Sequence, residues 1–223
     1  MLDLLLPQRC LGCSRHGAQV CAACVDGLQR LHAPRCERCG RPTAWPVARC
    51  SECGGRRLAF ALARAAVAYD EPVRRIVAAW KERGLRRLAP WAAEIVVEIV
   101  PRPEAEVVTF VPADRDRRLK RGHHAAEALA KELALRWDLP LEQLLARTRP
   151  IRPQRGLDQV ARRRNVRGAF IASGDAPGSV VLVDDVYTTG ATAHAAASAL
   201  RRRGARRVEV VTFARAIRRA GHG

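Results

Sequence analysis

The sequence predicts an α/β protein, a parallel sheet with helices between its strands, preceded by a small cysteine-rich module. Three observations lead there. All eight Cys lie within the first 53 residues. Beyond them, short apolar runs of strand type alternate with segments whose apolar residues recur at helical spacing. Finally, Val180–Thr192 joins an apolar run to two adjacent acids and a small-residue loop that opens an Ala-rich helix. Strands alternating with helices form parallel sheets, because a crossover helix carries the chain back to the end at which the previous strand began.

The cysteines form four Cys-x-x-Cys pairs: Cys10/Cys13, Cys21/Cys24, Cys36/Cys39 and Cys50/Cys53. A two-residue gap lets two thiolates on one tight turn face one metal, and two such knuckles complete a tetrahedral zinc site. Eight thiolates therefore imply two Zn²⁺. The gaps between successive pairs are 7, 11 and 10 residues. Sequential pairing is the simpler expectation, and an interleaved cross-brace is the alternative. Gly12, Gly40 and Gly54 fall at knuckle turns, where positive φ is often required. Disulfides are disfavoured because nothing in the sequence indicates export. Zinc here stands in for a core too small to fold alone. Contact with nucleic acid or a partner is the functional alternative.

Gly54-Gly55-Arg56-Arg57 reads as a linker, dividing the chain into 1–56 and 57–223. Leu58–Tyr69 is Ala/Val-rich and strand-like. Glu71–Arg83 is helical, with Val73, Ile76, Val77 and Trp80 at i, i+3, i+4 and i+7, and Gly84 ends it. A second helix spans Leu88–Val100, after which Pro101 and Pro103 break the chain. Glu106–Val111 is a short strand ending at Pro112. Gly122–Trp137 is a helix with Ala126, Leu129, Ala130 and Leu133 on one face. Residues 147–168 read as loop plus a short helix. Val180–Val183 is a buried strand, Ala191–Arg203 a helix and Val208–Phe213 a further strand.

In open parallel sheets, ligands bind beyond the carboxyl ends of the strands. Asp184 and Asp185 sit at such an end, as does Pro112-Ala113-Asp114. A loop of small residues opening a helix offers backbone N–H groups and a helix N-terminus to a phosphate. Two carboxylates can accept hydrogen bonds from vicinal ribose hydroxyls. Together they describe a sugar-phosphate site. An acidic pair that merely caps a loop is the alternative, and the Thr-Thr-Gly-Ala-Thr run of residues 188–192 weighs against it.

The formal net charge is +18, and 37 of the 40 basic residues are Arg. Between Arg147 and Arg167 there are eight Arg against one acid, Asp158. Guanidinium groups pair phosphates bidentately, so the cluster fits nucleic acid, pyrophosphate or a nucleotide. A solvated basic face is the alternative. No apolar run reaches the roughly 20 residues that span a bilayer. Met1–Pro7 is short and lacks the basic start of a signal peptide. A cytoplasmic protein with no membrane span is expected.

Residues 180–192 resemble, at all thirteen positions, the phosphoribosyl pyrophosphate signature of type I phosphoribosyltransferases. Val111-Pro112, Arg117 and Arg121-Gly122 resemble an element of the ComF family. So do Gln154, Leu157, Arg162 and Asn165 followed by Gly168-Ala169-Phe170. The four knuckles are similar to the double zinc ribbon that precedes the transferase-like domain in that family. Lys81 matches a basic position there. The sequence departs from the family at His123-His124-Ala125, where an aromatic residue, Asn or Asp, and often Gln are usual.

The resemblance implies a type I phosphoribosyltransferase-like domain that binds phosphoribosyl pyrophosphate, or a related ribose phosphate, with Mg²⁺. The chemistry it implies is displacement of pyrophosphate from ribose C1. Asp184 and Asp185 would hold the ribose hydroxyls as the catalytic pair. Thr188, Thr189, Gly190, Ala191 and Thr192 would cradle the 5′-phosphate. Pro112 and Ala113 would face the pyrophosphate, with Lys81, Arg117 and Arg121 neutralising it. No acceptor pocket is recognisable. The resemblance also implies a link to natural competence, with single-stranded DNA and competence proteins as partners. Three readings follow: a transferase with an unidentified acceptor, a single-stranded-DNA-binding competence factor, and a nucleotide-sensing regulator. The sequence sets no oligomeric state.

Overall fold

The structure is a computed structural model and describes residues 8–113, 124–148 and 168–217. Its elements in chain order are α1 (Ala22–Asp26), β1 (Leu62–Ala68), α2 (Glu71–Arg83), α3 (Leu88–Ile99) and β2 (Val107–Phe110). There follow α4 (Ala125–Trp137), β3 (Leu145–Arg147), β4 (Phe170–Ala172), β5 (Ser179–Tyr187), α5 (Ala191–Arg201) and β6 (Arg207–Arg215). Four strands form a sheet in the order β1-β6-β5-β2, and every pairing in it is parallel. The expected fold class is therefore observed.

Local chemistry explains the helix ends. Asp70 caps α2 by accepting from the Val73 N–H at 3.1 Å, Pro72 fits the first turn, and Gly84 closes the helix at φ 62°. Similarly, α4 stops at Asp138 in a left-handed conformation. The buried residues of α2 are Val73, Ile76, Val77 and Trp80, the four that the helical spacing singles out.

Two apolar clusters lie on opposite faces of the sheet. On one face α2, α3 and α4 cover Val181, Val183, Val211 and Phe213, with Trp80 edge-on to Phe213 at 6.4 Å. On the other, α5 covers Val180, Leu182, Val208 and Val210, and Cys36, Cys39 and Cys53 belong to the same cluster. The second half of the cysteine module thus shares its core with the sheet.

Both sheet edges are occupied, which removes open pairing sites. The segment around Arg30 lies against β1: Leu31 N–H donates to Ala66 O at 2.8 Å and Ala68 N–H to Gln29 O at 2.9 Å. Against β2, Val108 N–H donates to Pro140 O at 2.8 Å and Glu142 N–H to Val108 O at 3.0 Å.

Two expectations are revised, and one ladder appears that was not expected. The strand expected at Val180–Val183 runs on to Tyr187, because β6 keeps pairing with it after β2 has ended: Phe110 pairs Val183, whereas Tyr187 pairs Arg215. A small antiparallel ladder, β3 with β4, for which no strand was expected, flanks the Arg-rich stretch. Residues 149–167 themselves lie outside the described residues. Of the three knuckle glycines, only Gly40 takes a positive φ, 71°. In the first knuckle Ser14 takes the left-handed conformation, at φ 64°.

Candidate functional site

The two cysteine sets resolve sequentially. Cys10, Cys13, Cys21 and Cys24 form one group and Cys36, Cys39, Cys50 and Cys53 the other, each with all its sulfurs within 4.8 Å of one another. The interleaved alternative is excluded. All eight thiols are free of disulfides. Sulfur pairs stand 3.6 Å (Cys10–Cys24), 3.7 Å (Cys13–Cys21) and 3.5 Å (Cys36–Cys53 and Cys39–Cys50) apart. Four ligands at the Zn–S distance in a tetrahedron lie about 3.8 Å apart, so both groups fit a structural zinc.

Backbone N–H groups also point at the sulfurs, from Cys21 to Cys10 Sγ at 3.4 Å and from Cys50 to Cys36 Sγ at 3.3 Å. Burial pushes the Cys36 thiol up, but hydrogen bonds from the Cys39 and Cys50 N–H groups, with the Cys53 side chain and the Arg38 N–H, outweigh it and bring it down to about 7. Native mass spectrometry is expected to find two Zn²⁺ per chain. Removing both with a chelator should lower Tm by ~10 °C or more, since the second group is part of the sheet's core. An unchanged Tm in metal-free protein would contradict a structural role.

At the carboxyl end of the sheet, β5 carries Asp184 and Asp185 just past the point where β2 stops pairing. The carboxylates are therefore flanked by β6 on one side and by Pro112 and Ala113 on the other. Asp184 Oδ1 accepts from the Asp185 N–H at 2.9 Å. Lys81, from the last turn of α2, reaches Asp185 Oδ1 at 2.8 Å. Burial pushes the Asp184 carboxyl up to about 7, and the charge of Asp185 adds to that. Lys81, the Asp185 N–H and Arg147 pull the other way. For Lys81, burial lowers the pKa, but the attraction of Asp185 and Asp184 prevails and raises it.

Arg147 is a site residue that the sequence marked only as part of a basic run. The β3–β4 ladder holds it, its guanidinium lies over the Phe170 ring at 5.3 Å, and its Nε donates to Pro112 O at 3.1 Å. Its charge acts on Asp184.

After β5, Thr188, Thr189 and Gly190 turn the chain into α5. Gly190 is the N-cap, at φ 71°, and so offers the first turn no side chain of its own. Thr189 is buried; its hydroxyl accepts from the Ala191 N–H at 3.4 Å and its carbonyl from Arg56 Nη2 at 2.9 Å. Thr188 and Thr192 are partly exposed.

Lys81, Asp184, Asp185, Pro112, Ala113 and the 188–192 loop thus meet at one end of the sheet. Arg117 and Arg121 lie outside the described residues, as do Gln154, Leu157, Arg162 and Asn165. His124 stands at the N-cap of α4, edge-on to Phe110 at 5.7 Å and 3.6 Å from Glu127. Sequence reasoning missed Arg56 and Arg215, and the neighbourhood of Tyr187. None of these carries a local signal, because their partners lie far along the chain.

A parallel sheet that presents an acidic pair and a helix-opening loop, joined to two four-cysteine clusters, defines a phosphoribosyltransferase-fold protein with a double zinc ribbon. Residues 1–55 match the double zinc ribbon domain and residues 119–222 the phosphoribosyl transferase domain. Over most of its length the chain is homologous to two curated proteins. It is 28% identical to Competence protein F of Haemophilus influenzae, over 93% of this chain and 97% of that protein. It is 27% identical to DNA utilization protein YhgH of Salmonella typhi, over 89% of this chain and 91% of that protein. A solved glutamine phosphoribosylpyrophosphate amidotransferase from B. subtilis is 25% identical over 57% of this chain and 25% of that chain, with a TM-score of 0.37. Among the described residues, no helix is long and apolar enough to cross a membrane.

Proposed function

We propose that the Asp184–Thr192 site binds phosphoribosyl pyrophosphate, or a closely related ribose phosphate, together with Mg²⁺. We place it in a unit spanning 57–223, behind a ribbon unit spanning 1–56. The observation that carries this reading is the meeting of the acidic pair with Lys81 and the glycine-headed start of α5 at one end of the sheet. The 5′-phosphate sits at the 188–192 loop, where the helix N-terminus favours negative charge. Asp184 and Asp185 accept from the ribose 2′ and 3′ hydroxyls. The raised pKa of Asp184 fits a carboxyl waiting for donors.

Lys81 orients Asp185 and places a positive charge near the leaving pyrophosphate, with Pro112 and Ala113 alongside. Arg117 and Arg121 belong to the same reading. One oxygen of Asp185 is already held by Lys81, so the protein offers few metal ligands. That suits Mg²⁺, which keeps phosphate oxygens and water as most of its shell and would neutralise the pyrophosphate. Transfer to an acceptor requires that developing negative charge be stabilised more than the ground state. Asp184 and Asp185 are the catalytic candidates.

Calorimetry with phosphoribosyl pyrophosphate, with and without Mg²⁺, tests the reading. Binding that depends on Mg²⁺ and weakens more than ~10-fold in Asp185→Asn is expected. No heat at millimolar ligand would refute it.

A second reading, handling of single-stranded DNA in the cytoplasm, draws on the names of the two relatives. It also draws on a groove of about 600 Å³ lined by Arg38, Arg49, Arg64 and Arg207. Binding of an oligonucleotide should then fall steeply with salt, by roughly one counterion for each phosphate contact. A salt-insensitive interaction would remove this reading. Competence proteins are the partners it predicts.

A further inference from the structure

Arg215, the last residue of β6, is 1% exposed. A guanidinium this deep needs partners to offset its desolvation. Its partners come from the second cysteine group. Nη1 donates to the Cys39 carbonyl at 2.5 Å, Nη2 approaches Cys39 Sγ at 3.7 Å, and Nη2 bonds Glu52 Oε1 at 3.0 Å. Glu52 lies between the two cysteines of the last knuckle.

The other side of Arg215 faces the candidate ligand site. Its guanidinium lies over the ring of Tyr187 at 4.5 Å, and the two residues are direct partners across β5 and β6. Tyr187 is also edge-on to Phe60 at 6.3 Å. Its hydroxyl is buried without a hydrogen-bond partner among the described residues and abuts Gly190. A second strut runs alongside: Arg56, three residues beyond Cys53, donates to Thr189 O at 2.9 Å.

We infer that Arg215 is a positioning residue that couples the second cysteine group to the Gly190 loop, so that zinc in that group sets the geometry of the phosphate cradle. Zinc holds the Cys39 and Cys50–Cys53 turns in place, and those turns hold the fork of Arg215. Groups that bond to metal ligands in this way orient them and are oriented by them. Without the metal the turns relax and Arg215 loses its acceptors while still buried. Tyr187 then loses its stacking partner and Gly190 the surface it rests on. The first cysteine group has no such connection among the described residues. Leu11 and Val20 rest on the opposite face, and Gly12 lies near Ile76. The functional consequence rests on the ribose-phosphate reading of the loop; the coupling itself does not.

Amide hydrogen exchange of the ligand-free, zinc-loaded full chain is the test. Arg215→Met should speed exchange at residues 188–192 by ~10-fold or more while leaving α4 and β2 unchanged. Arg215→Lys, which keeps the charge but not the fork, should fall between. The double variant Cys10→Ser/Cys13→Ser, which cannot hold the first zinc, should leave 188–192 unchanged. If Arg215→Met does not fold, chelation of the remaining zinc in that double variant carries the test, and exchange at 188–192 must rise as the metal leaves.

Unmoved exchange at 188–192, or acceleration spread evenly over the sheet, would overturn the coupling. Phosphoribosyl pyrophosphate with Mg²⁺ should also bind ~10-fold more weakly to Arg215→Met. If the loop responds but the wild type binds no phosphoribosyl pyrophosphate, the coupling stands and the ligand reading fails. If the ligand binds and the loop does not respond, the coupling fails.

Discussion

Gly190→Ala is expected to cost about 2–4 kcal/mol of stability and to abolish ribose-phosphate binding. Two effects add. The residue holds φ 71°, a conformation that costs a residue with a Cβ roughly 1–2 kcal/mol. The new methyl would also collide with the Tyr187 hydroxyl and lie 2.6 Å from its ring carbon Cζ. Tyr187 cannot retreat easily, because Arg215 and Phe60 hold its ring. The loop must move instead, and the loop is where the phosphate is proposed to sit. Thermal unfolding and calorimetry measure the two losses. Tyr187→Phe in the same chain should restore only part of the stability, since the ring carbon remains. An unchanged Tm in Gly190→Ala would show that the contact is not rigid.

Asp184→Asn should move stability and binding in opposite directions. In the folded chain, burial and Asp185 raise the Asp184 carboxyl to about 7 from an ordinary value of 3.8. The folded state therefore keeps a proton that the unfolded chain has released. The stability gained from that proton is full below about pH 4 and is lost as pH rises through about 7. At pH 8 the ionised carboxylate then costs the ligand-free fold on the order of 4 kcal/mol, which Asn avoids. Asn keeps an oxygen for the Asp185 N–H, so the local hydrogen bond survives. Chemical denaturation at pH 4, 6 and 8 should show the variant gaining on the wild type as pH rises. Ribose-phosphate binding should fall, because the carboxylate's acceptor strength is gone. Such opposition of stability and binding marks a site where folding tolerates strain for function. Parallel pH profiles for the two proteins would contradict it.

Much of the site was legible because its signals are local. The two-residue spacing of Cys10/Cys13 and its three counterparts requires no knowledge of the fold. The same holds for Val73, Ile76, Val77 and Trp80, whose spacing alone puts them on the buried face of α2. Asp184 and Asp185 follow an apolar run, so their place near a strand end could be read directly. The strand's true end could not. It depends on β6 continuing to pair after β2 has stopped, which is a property of two neighbours and not of β5 itself.

The sequence by itself determined the fold class, the four Cys-x-x-Cys pairs and the acidic pair with its loop. Each is written in residues within a turn or two of one another, where spacing alone decides which atoms meet. Only the tertiary structure decided that the cysteine pairs group sequentially, that Lys81 pairs with Asp185, that the charge of Arg147 acts on Asp184, and that Arg215 joins Cys39 to Tyr187. Arg215 and Cys39 are 176 positions apart. Contacts at that range arise from how the sheet and the ribbon share one core, and no local pattern encodes them.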